Sequence, residues 1–251
     1  MRVTMHQPEH LPWLGFFHKM AQADLYVYLD VVQYRRQYFQ NRNRIVGVRE
    51  PIWLLVPVRK LEHRHGPIMR VPLDNSRAWR KTYWGSIAYH YHNHPHFERY
   101  ADELRSIVLT PFEQLTDLNY ALIDFCRRAF AITTPLVRAS SLDVDGKRSS
   151  LIHDVMVRTG ATTYLSGPTG REYLDEEPFR ASGIAVEYHD FHHPRYAQRG
   201  RAAFSSHLAA LDLIMNEGPR CREVLLGKPL VTSVVWAPDR VESFTKALKS
   251  H

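Results

Sequence analysis

Apolar and polar positions change in blocks along the first thirty residues, and these blocks predict a strand, a loop, a helix and a second strand. Val3–Met5 is a short apolar run that stops at the polar turn His6–Pro8. Apolar residues then recur with helical spacing over about residues 14–23, and Leu25–Leu29 is a second apolar run that ends at Asp30. Ligands in such units bind where loops leave the carboxyl ends of the strands. We therefore expect a ligand site at this edge that contains His6, Gln7, Asp30 and Gln33.

The rest of the chain continues as alternating helices and strands. Further strands are predicted at residues 52–58, 68–73, 136–139, 162–165 and 184–188. Helical periodicity is found over residues 79–90, 95–108, 111–131, 149–159, 173–182 and 207–216. Such alternation favours a mostly parallel sheet with helices on both faces. We predict a single α/β domain over residues 1–251, nucleotidyltransferase-like or Rossmann-like, in which about residues 77–131 form a helical cap or insertion.

Composition is that of an ordinary globular protein, with 44% apolar and 24% charged residues in a chain of 251. This length is ample for a hydrophobic core. No apolar run is long enough to span a bilayer, and the first residues lack the pattern of a signal peptide. The two cysteines, Cys126 and Cys221, make neither a disulfide framework nor a CxxC spacing. These features predict a cytoplasmic protein that does not associate with membranes.

The charge balance indicates an anionic partner. The formal net charge is +7, with fifteen further histidines. A basic surface attracts nucleic acid, phosphorylated substrates or an acidic carrier protein. The positive residues are scattered, and no helix-turn-helix, zinc-finger or RNP-type motif is present in the sequence. Nucleic acid is therefore the least favoured of these three partners.

Several motifs stand out along the chain. They are, in order, His6-Gln7-Pro8, Leu11-Pro12-Trp13-Leu14-Gly15, Val32-Gln33-Tyr34, Asn41-Arg42-Asn43-Arg44, Tyr164-Leu165-Ser166-Gly167-Pro168, Gly170, His193-Pro194 and Tyr196. In this order they resemble the motifs of the WbqC-like family of bacterial proteins over roughly residues 3–218. Two positions depart from the family pattern: His10 stands where an aromatic residue is usual, and Phe39 where tryptophan is usual. Both lie near the predicted ligand end, which leaves room for a different substrate.

The resemblance implies an activity without assigning catalytic residues. Proteins of this kind resemble ones encoded among genes for surface-polysaccharide and natural-product biosynthesis. The role suggested for them is transfer of a small amino-acyl group, such as glycyl, to an amine. We therefore expect a transferase that takes an acyl or amino-acyl group from a carrier-protein thioester to a small-molecule amine acceptor. It would need no cofactor of its own, apart from phosphopantetheine on the partner carrier protein.

Candidate catalytic groups end the first two predicted strands. His6 has a side chain suited to general base catalysis near neutral pH, and Asp30 could orient it or accept a proton from an amine. The alternatives are a histidine that shapes the Gln-Pro turn and a carboxylate that forms a cap or turn. The predicted oxyanion donors are backbone amides near Ser166 and Gly167, or the side chains of Asn41 and Asn43.

Other polar residues are candidates for substrate binding. Arg42 could bind a phosphate or a carboxylate, or could form an ion pair that only holds the fold. The turn from Ser166 to Gly170 carries glycines that could let backbone N–H groups approach an anion, or could serve a purely structural turn. The full set of predicted substrate-binding residues is Gln7, Gln33, Asn41, Arg42, Asn43, Ser166, Gly167, Gly170, His193 and Tyr196.

Metal and thiol chemistry are less favoured. His90, His92, His94 and His96 would share one face of a strand, but the surrounding pattern is helical. Cys126 lies on an apolar helix face, whereas basic neighbours of Cys221 would lower the pKa of its thiol. Because Cys221 follows the matched motifs, a covalent thiol mechanism is not expected. Two further hypotheses stay open beside the acyltransferase: a nucleotide-dependent nucleotidyl or adenylyl transferase, and a non-catalytic scaffold of a biosynthetic complex.

Overall fold

A computed structural model describes residues 1–59, 66–200 and 203–227 of the chain. Its strands are β1 (Arg2–His6), β2 (Leu25–Tyr28), β3 (Arg42–Ile45), β4 (Ile52–Leu55), β5 (Leu136–Arg138), β6 (Thr163–Ser166) and β7 (Ala185–Tyr188). Its helices are α1 (Leu14–Ala21), α2 (Trp79–Tyr91), α3 (Phe97–Leu109), α4 (Leu115–Ala129), α5 (Ser149–Arg158), α6 (Glu177–Ala181), α7 (Leu211–Glu217) and α8 (Cys221–Leu225). The protein is thus an α/β protein, as the sequence predicts.

The central sheet has five parallel strands in the order β5-β2-β1-β6-β7. Parallel neighbours require crossover connections, and helices supply them. The chain first builds the sheet outward from β1 to β2 and β5, then returns to the other side of β1 for β6 and β7. The switch in direction therefore lies between β1 and β6. In open α/β sheets this is the point where a crevice forms beyond the carboxyl ends of the strands.

Alternation along the strands sends side chains into two separate cores. Val3 and Met5 of β1 and Val27 of β2 pack with α5 and β6 on one face. Tyr26 and Tyr28 of β2 face the other way, into a larger core built with α1 and the middle helices. The period-two pattern of a strand requires this division. His6 follows Thr4 on the second face, where its ring lies edge-on to Phe16 of α1 at 5.4 Å between centroids.

The predicted strand at residues 52–58 exists, but it lies outside the central sheet. β4 pairs antiparallel with β3 in a two-stranded sheet of their own. β3 is not predicted from the sequence, because three of its four residues are polar and resemble a ligand-binding segment more than a strand. Such a strand is recognised only from its pairing with β4, because the polar side chains of β3 face outward or bond to the backbone and give no apolar pattern.

The predicted strand at residues 68–73 is wrong. Ile68–Arg70 forms a short 3-10 helix instead, and the chain nearby makes only isolated bridges at Pro67, Pro72 and Leu73. Proline has no N–H to donate to a ladder, so the two prolines that flank this segment prevent a regular strand. The apolar side chains Ile68, Val71 and Leu73 are nevertheless buried in the larger core.

The predicted helical insertion at about residues 77–131 consists of α2, α3 and α4. It belongs to a longer insertion between β2 and β5 that also includes the β3–β4 hairpin. α2 packs on α3, α3 on α4, and both α3 and α4 contact α7. The insertion thereby packs against α1 and completes the larger core.

Element ends in the second half differ from the prediction. α6 begins at Glu177 rather than near Tyr173, because Pro178 occupies its first turn, where proline costs no hydrogen bond. α7 begins at Leu211 rather than at residue 207. The sequence analysis left α8 unassigned, since five residues carry too little periodicity to be recognised. Residues 228–251 lie outside the described residues, as does Arg201.

Candidate functional site

The candidate site lies at the switch point, where β1 ends at His6 and β6 ends at Ser166. The strand register pairs Thr4 with Leu165, and the Thr4 hydroxyl donates to the Leu165 carbonyl at 2.7 Å. This parallel pairing brings the loops that follow the two strands side by side. The loops after β1 and β6 therefore meet at the carboxyl edge of the sheet, where the sequence predicts the ligand site.

His6 keeps its ring partly open at this edge, with 31% of its side chain exposed. The ring Nδ1 donates to the Gln7 carbonyl at 3.1 Å. In a neutral imidazole this leaves Nε2 as an acceptor. Desolvation lowers the pKa of His6 to about 3, with a further contribution from the Lys19 charge. His6 is therefore neutral across the physiological range and can accept a hydrogen bond, although it is too weak a base to hold a proton.

Glu9 is the most unusual group at this edge. Its residue is 4% exposed, and its Oε1 lies 3.9 Å from His6 Nδ1. Among the described residues, no side chain or backbone N–H donates a hydrogen bond to its carboxylate. Burial raises the pKa of Glu9 to about 7, with the charge of Lys19 acting in the opposite direction. A buried carboxylate with open acceptor positions is placed to receive a donor from a ligand.

Lys19 of α1 provides the matching positive charge. Its buried ammonium donates to the Met5 carbonyl at 2.8 Å, which accounts for one of its three N–H groups. Burial lowers the pKa of Lys19 to about 8, and the charge of Glu9 partly offsets this. A Cβ atom added at Gly167 would lie 3.9 Å from Lys19 Nζ. The missing side chain at Gly167 therefore leaves space beside the ammonium.

Asp30 has a different role from the predicted one. Its carboxylate, 2% exposed, accepts from the Ser140 N–H at 2.9 Å, the Ser140 hydroxyl at 2.7 Å and the Tyr120 hydroxyl at 3.1 Å. Within the described part of the chain, no contact joins it to His6. Asp30 thus ties the end of β2 to the turn after β5 and to α4. The predicted His6–Asp30 pair is absent, and the carboxylate near His6 is that of Glu9.

Replacing Asp30 by alanine is expected to lower the free energy of unfolding by roughly 3 kcal/mol, because three donors lose a charged acceptor. Chemical denaturation measures this directly. Asp102→Ala, an exposed carboxylate on α3, is the matched control and should leave stability unchanged. A stable Asp30→Ala variant with lost activity would instead restore Asp30 to the reactive groups.

Asn43 supports the loop after β1, whereas Asn41 supports the chain after β4. Asn43 Nδ2 donates to the carbonyl of Leu11 at 2.7 Å, and Asn41 Nδ2 donates to that of Val56 at 2.9 Å. Both are buried. Both amide N–H groups of Asn43 are thus engaged by the loop backbone, whereas the bond to Val56 uses one of the two N–H groups of Asn41. Gln7 accepts from Gln40 Nε2 at 2.7 Å and links the same loop to the chain before β3.

Gln33 lies in the segment before β3, and Arg42 is the first residue of β3. Gln33 is exposed and forms an isolated bridge with Pro67. The guanidinium of Arg42 stacks over the Trp53 ring at 4.4 Å and donates to the Gln37 carbonyl. Within the described residues, no carboxylate forms an ion pair with Arg42. The purely structural ion pair is therefore not observed there.

The turn after β6 is shaped by its glycines. Ser166 is buried, and a Cβ at Gly170 would collide with its hydroxyl oxygen. Gly170 N–H donates to the Gly167 carbonyl at 3.0 Å, which closes the turn into the 3-10 helix Pro168–Glu172. The turn therefore requires glycine at position 170 for packing, while Gly167 lies at the open edge beside Lys19.

Two histidines contact each other behind Lys19. His18 Nδ1 and His189 Nε2 lie 2.7 Å apart, so one ring donates to the other. Desolvation lowers the pKa of His189 to about 4 and lowers that of His18, with the charge of His18 also acting on His189. Both rings are therefore neutral, and they form a polar wall at the end of β7. The nearby His192 is exposed and is not part of this wall.

His193 and Tyr196 lie in a separate buried cluster. The Tyr196 hydroxyl donates to Asp212 Oδ2 at 2.9 Å, and Tyr196 is buried. His193 Nδ1 donates to the Pro194 carbonyl at 2.9 Å, and its ring stacks near Tyr196 at 6.4 Å. These contacts hold the segment after β7 against α7. The prediction that both residues bind substrate stays a prediction.

Neither the histidine-rich segment nor the thiols form a reactive site. The segment at residues 90–96 spans the end of α2 and the turn before α3, so it is not a strand. Across residues 1–59, 66–200 and 203–227, no group of three or more His, Cys, Asp or Glu side chains is arranged to hold a metal. The predicted lowering of the Cys221 pKa is wrong: burial raises it to about 12.

Sequence reasoning missed Glu9 and Lys19, the two charged groups at the centre of the site. A signal was present: Lys19 lies in an otherwise apolar helix between Phe17 and Met20, where a lysine is not expected unless it has a buried role. Glu9 directly precedes His10, whose ring bonds Asn119 at 2.9 Å and Tyr83 at 2.6 Å. These two bonds hold the loop that carries Glu9 against α4 and α2.

Comparison with known proteins gives the family of the chain but no activity. An uncharacterized protein of Mycobacterium tuberculosis, Rv1507c, is 29% identical over 227 residues, which cover 89% of this chain and 97% of the relative. No solved structure matches, so the narrower nucleotidyltransferase-like or Rossmann-like assignment stays a prediction. In the described part of the chain, no helix is long and apolar enough to cross a membrane. The sequence model of the WbqC-like protein family matches residues 7–224, a span that contains the loop after β1, α1 and the turn after β6, and the chain therefore belongs to the WbqC-like protein family.

Proposed function

We propose that this protein is a transferase that moves an acyl or amino-acyl group from an activated donor, a carrier-protein thioester, to a small amine. The observation that carries the proposal is the buried carboxylate of Glu9, without a hydrogen-bond donor among the described residues, beside the neutral ring of His6. An amine is a ligand that offers N–H donors to both groups. The basic charge of the chain favours an acidic carrier as the donor protein, in the cytoplasm.

The reaction needs a proton acceptor, an oriented amine and a stabilised oxyanion. The amine nitrogen attacks the thioester carbonyl carbon, the C–N bond forms, and the C–S bond breaks. Glu9, with a pKa of about 7, takes the proton of the amine and can return it to the departing thiolate. His6 accepts a second N–H through Nε2 and orients the amine. The free N–H groups of Lys19 and the open backbone at Gly167 would face the oxyanion.

The direct test is intact-protein mass spectrometry of an amino-acyl-loaded carrier protein, incubated with this protein and a panel of amines, with and without ATP and magnesium. The proposal expects ATP-independent unloading that requires both the protein and an amine. A carrier that stays loaded in every mixture would reject acyl transfer and favour the scaffold hypothesis.

His6→Ala is expected to lower turnover at least about tenfold, because the amine loses one of the two groups that orient it. The ring is partly exposed, so the fold should survive. Steady-state kinetics on an identified acceptor, with circular dichroism as the control for folding, measures this. Unchanged turnover would remove His6 from the mechanism.

A nucleotide-dependent transferase is the second candidate, favoured by the strand order of the sheet. An open parallel sheet whose strand order reverses, as here between β1 and β6, commonly binds a nucleotide at this point. A nucleotide with magnesium would then raise the melting temperature, and ATP would be consumed in the mass-spectrometry assay. The acyltransferase proposal expects neither result.

A further inference from the structure

A second concave site lies beside the β3–β4 hairpin. It is a cavity of about 310 Å³, lined by the side of the chain from Tyr34 to Arg42, by the end of β4 and by Arg59. Its volume is at the lower end of the range for small-molecule sites. Residues Leu55–Val58 form an apolar wall, and polar side chains face it from the opposite side. The cavity is thus neither purely apolar nor open to solvent on all sides.

Three arginines converge on this cavity: Arg36, Arg42 and Arg59. Among the described residues, none of the three forms an ion pair with a carboxylate. Asp74 interacts electrostatically with Arg59, but its carboxylate pairs with Arg77 at 3.2 Å. Three positive charges around one cavity without a paired carboxylate repel one another, so an anion bound between them would be strongly favoured.

Arg42 is held in position for such an anion. Its guanidinium stacks over Trp53 at 4.4 Å, and one terminal nitrogen donates to the Gln37 carbonyl. Among the described residues, its buried Nε has no hydrogen-bond partner. Arginine N–H groups bind phosphate oxygens through charge-assisted hydrogen bonds, often in a bidentate manner. Stacking on a rigid indole removes much of the entropy that binding would otherwise cost.

A chain of contacts links the wall of the cavity to the loop after β1, which carries the candidate site. Asn41 lines the cavity, its neighbour Gln40 donates to Gln7 at 2.7 Å, and Gln7 directly follows His6. We propose that this cavity binds the phosphate of an organic phosphate ester, with the organic part against the apolar wall of β4. On the proposed function, the ester is the phosphopantetheine arm of the carrier, whose thioester would then reach His6 and Glu9; a free nucleotide offers the same chemistry.

Titration calorimetry on the full chain tests this without turnover. The ligands are 4′-phosphopantetheine, pantetheine, which lacks only the phosphate, and ADP without magnesium. We expect 4′-phosphopantetheine to bind at least about tenfold more tightly than pantetheine, as a charge-assisted contact requires. Arg42→Gln and Arg36→Gln should each lower the affinity for the phosphate ester by about tenfold and leave the affinity for pantetheine unchanged. Arg36 is exposed, so its replacement does not endanger the fold.

The matched control is Arg44→Gln. Arg44 lies two residues further along β3, also with its guanidinium near Trp53, at 5.8 Å, but it does not line the cavity. Its replacement should leave binding intact. Equal binding of pantetheine and 4′-phosphopantetheine, or equal losses in Arg42→Gln and Arg44→Gln, would overturn the proposal. Binding of ADP that is lost in Arg42→Gln supports the phosphate site and assigns it to a nucleotide. Calorimetry measures binding and not turnover. If the protein binds the phosphate ester but the mass-spectrometry assay shows no acyl transfer, only the proposed function is rejected.

Discussion

Glu9→Gln is expected to lower the rate of acyl transfer at least about a hundredfold, because general acid–base catalysis contributes that much when the group is well placed. Glutamine keeps the shape of the side chain but cannot take a proton. The loop should keep its position, since His10 and Asn43 hold it by bonds that Glu9 does not make. Single-turnover kinetics on a loaded carrier measures the chemical step.

The pH dependence distinguishes a base from a binding group. The native rate should rise with pH through about 7, where Glu9 loses its proton, and Glu9→Gln should lack this limb. The stability of the folded protein should fall as pH rises, whereas the rate should increase. The pKa of Glu9 is raised in the folded state, so the native protein binds more protons than the unfolded chain between about pH 4.5 and 7 and loses stability over this window as pH rises.

Glu9→Gln should therefore be more stable than the native protein above pH 7, by up to roughly 3 kcal/mol, and equally stable below pH 4.5. Glu172→Gln, an exposed carboxylate in the turn after β6, is the control and should change neither the rate nor the stability. A Glu9→Gln variant that retains the native rate and pH profile would show that Glu9 does not accept the proton.

Asp212→Ala is expected to lower the free energy of unfolding by about 3–5 kcal/mol, because a buried charged acceptor is removed from several donors. Asp212 is fully buried on α7. It accepts from the Tyr196 hydroxyl at 2.9 Å, Gln198 Nε2 at 2.8 Å and the Tyr91 hydroxyl at 3.3 Å. These bonds join α2, α7 and the segment after β7. Alanine would leave two buried tyrosine hydroxyls without this acceptor.

Denaturant unfolding measures the loss, and Asp190→Ala, an exposed carboxylate after β7, should show none. Tyr196→Phe distinguishes a structural role of Tyr196 from a role in substrate binding. It removes the bond from Tyr196 to Asp212 and should destabilise the protein by about 1 kcal/mol while turnover stays native. An unchanged stability in Asp212→Ala would mean that the cluster does not hold the segment, and lost turnover in a stable Tyr196→Phe would return Tyr196 to the substrate.

The fold could be predicted from the sequence as far as its elements are local. Apolar runs such as Val3–Met5 and Leu25–Leu29 specify buried strands, and helical spacing specifies α3 and α4 to within a few residues at most ends. The wrong predictions are those in which strand pairing determines the structure. β3 and β4 became a separate hairpin, and Ile68–Arg70 became a 3-10 helix between two prolines. Strand pairing is a long-range choice that a local pattern does not contain.

By itself, the sequence determined the α/β class, the position of His6 at the end of β1 and the density of polar groups at that edge. Only the tertiary structure decided which of those groups are free to act. Asp30 and Asn43 bond to Ser140, Tyr120 and the backbone of the loop after β1. Within the described residues, by contrast, the Glu9 carboxylate accepts no hydrogen bond, and Lys19 uses one of its three N–H groups. The physical reason is that hydrogen-bonding capacity is used by whatever partner folding brings near, and these partners lie up to 110 residues away in the chain.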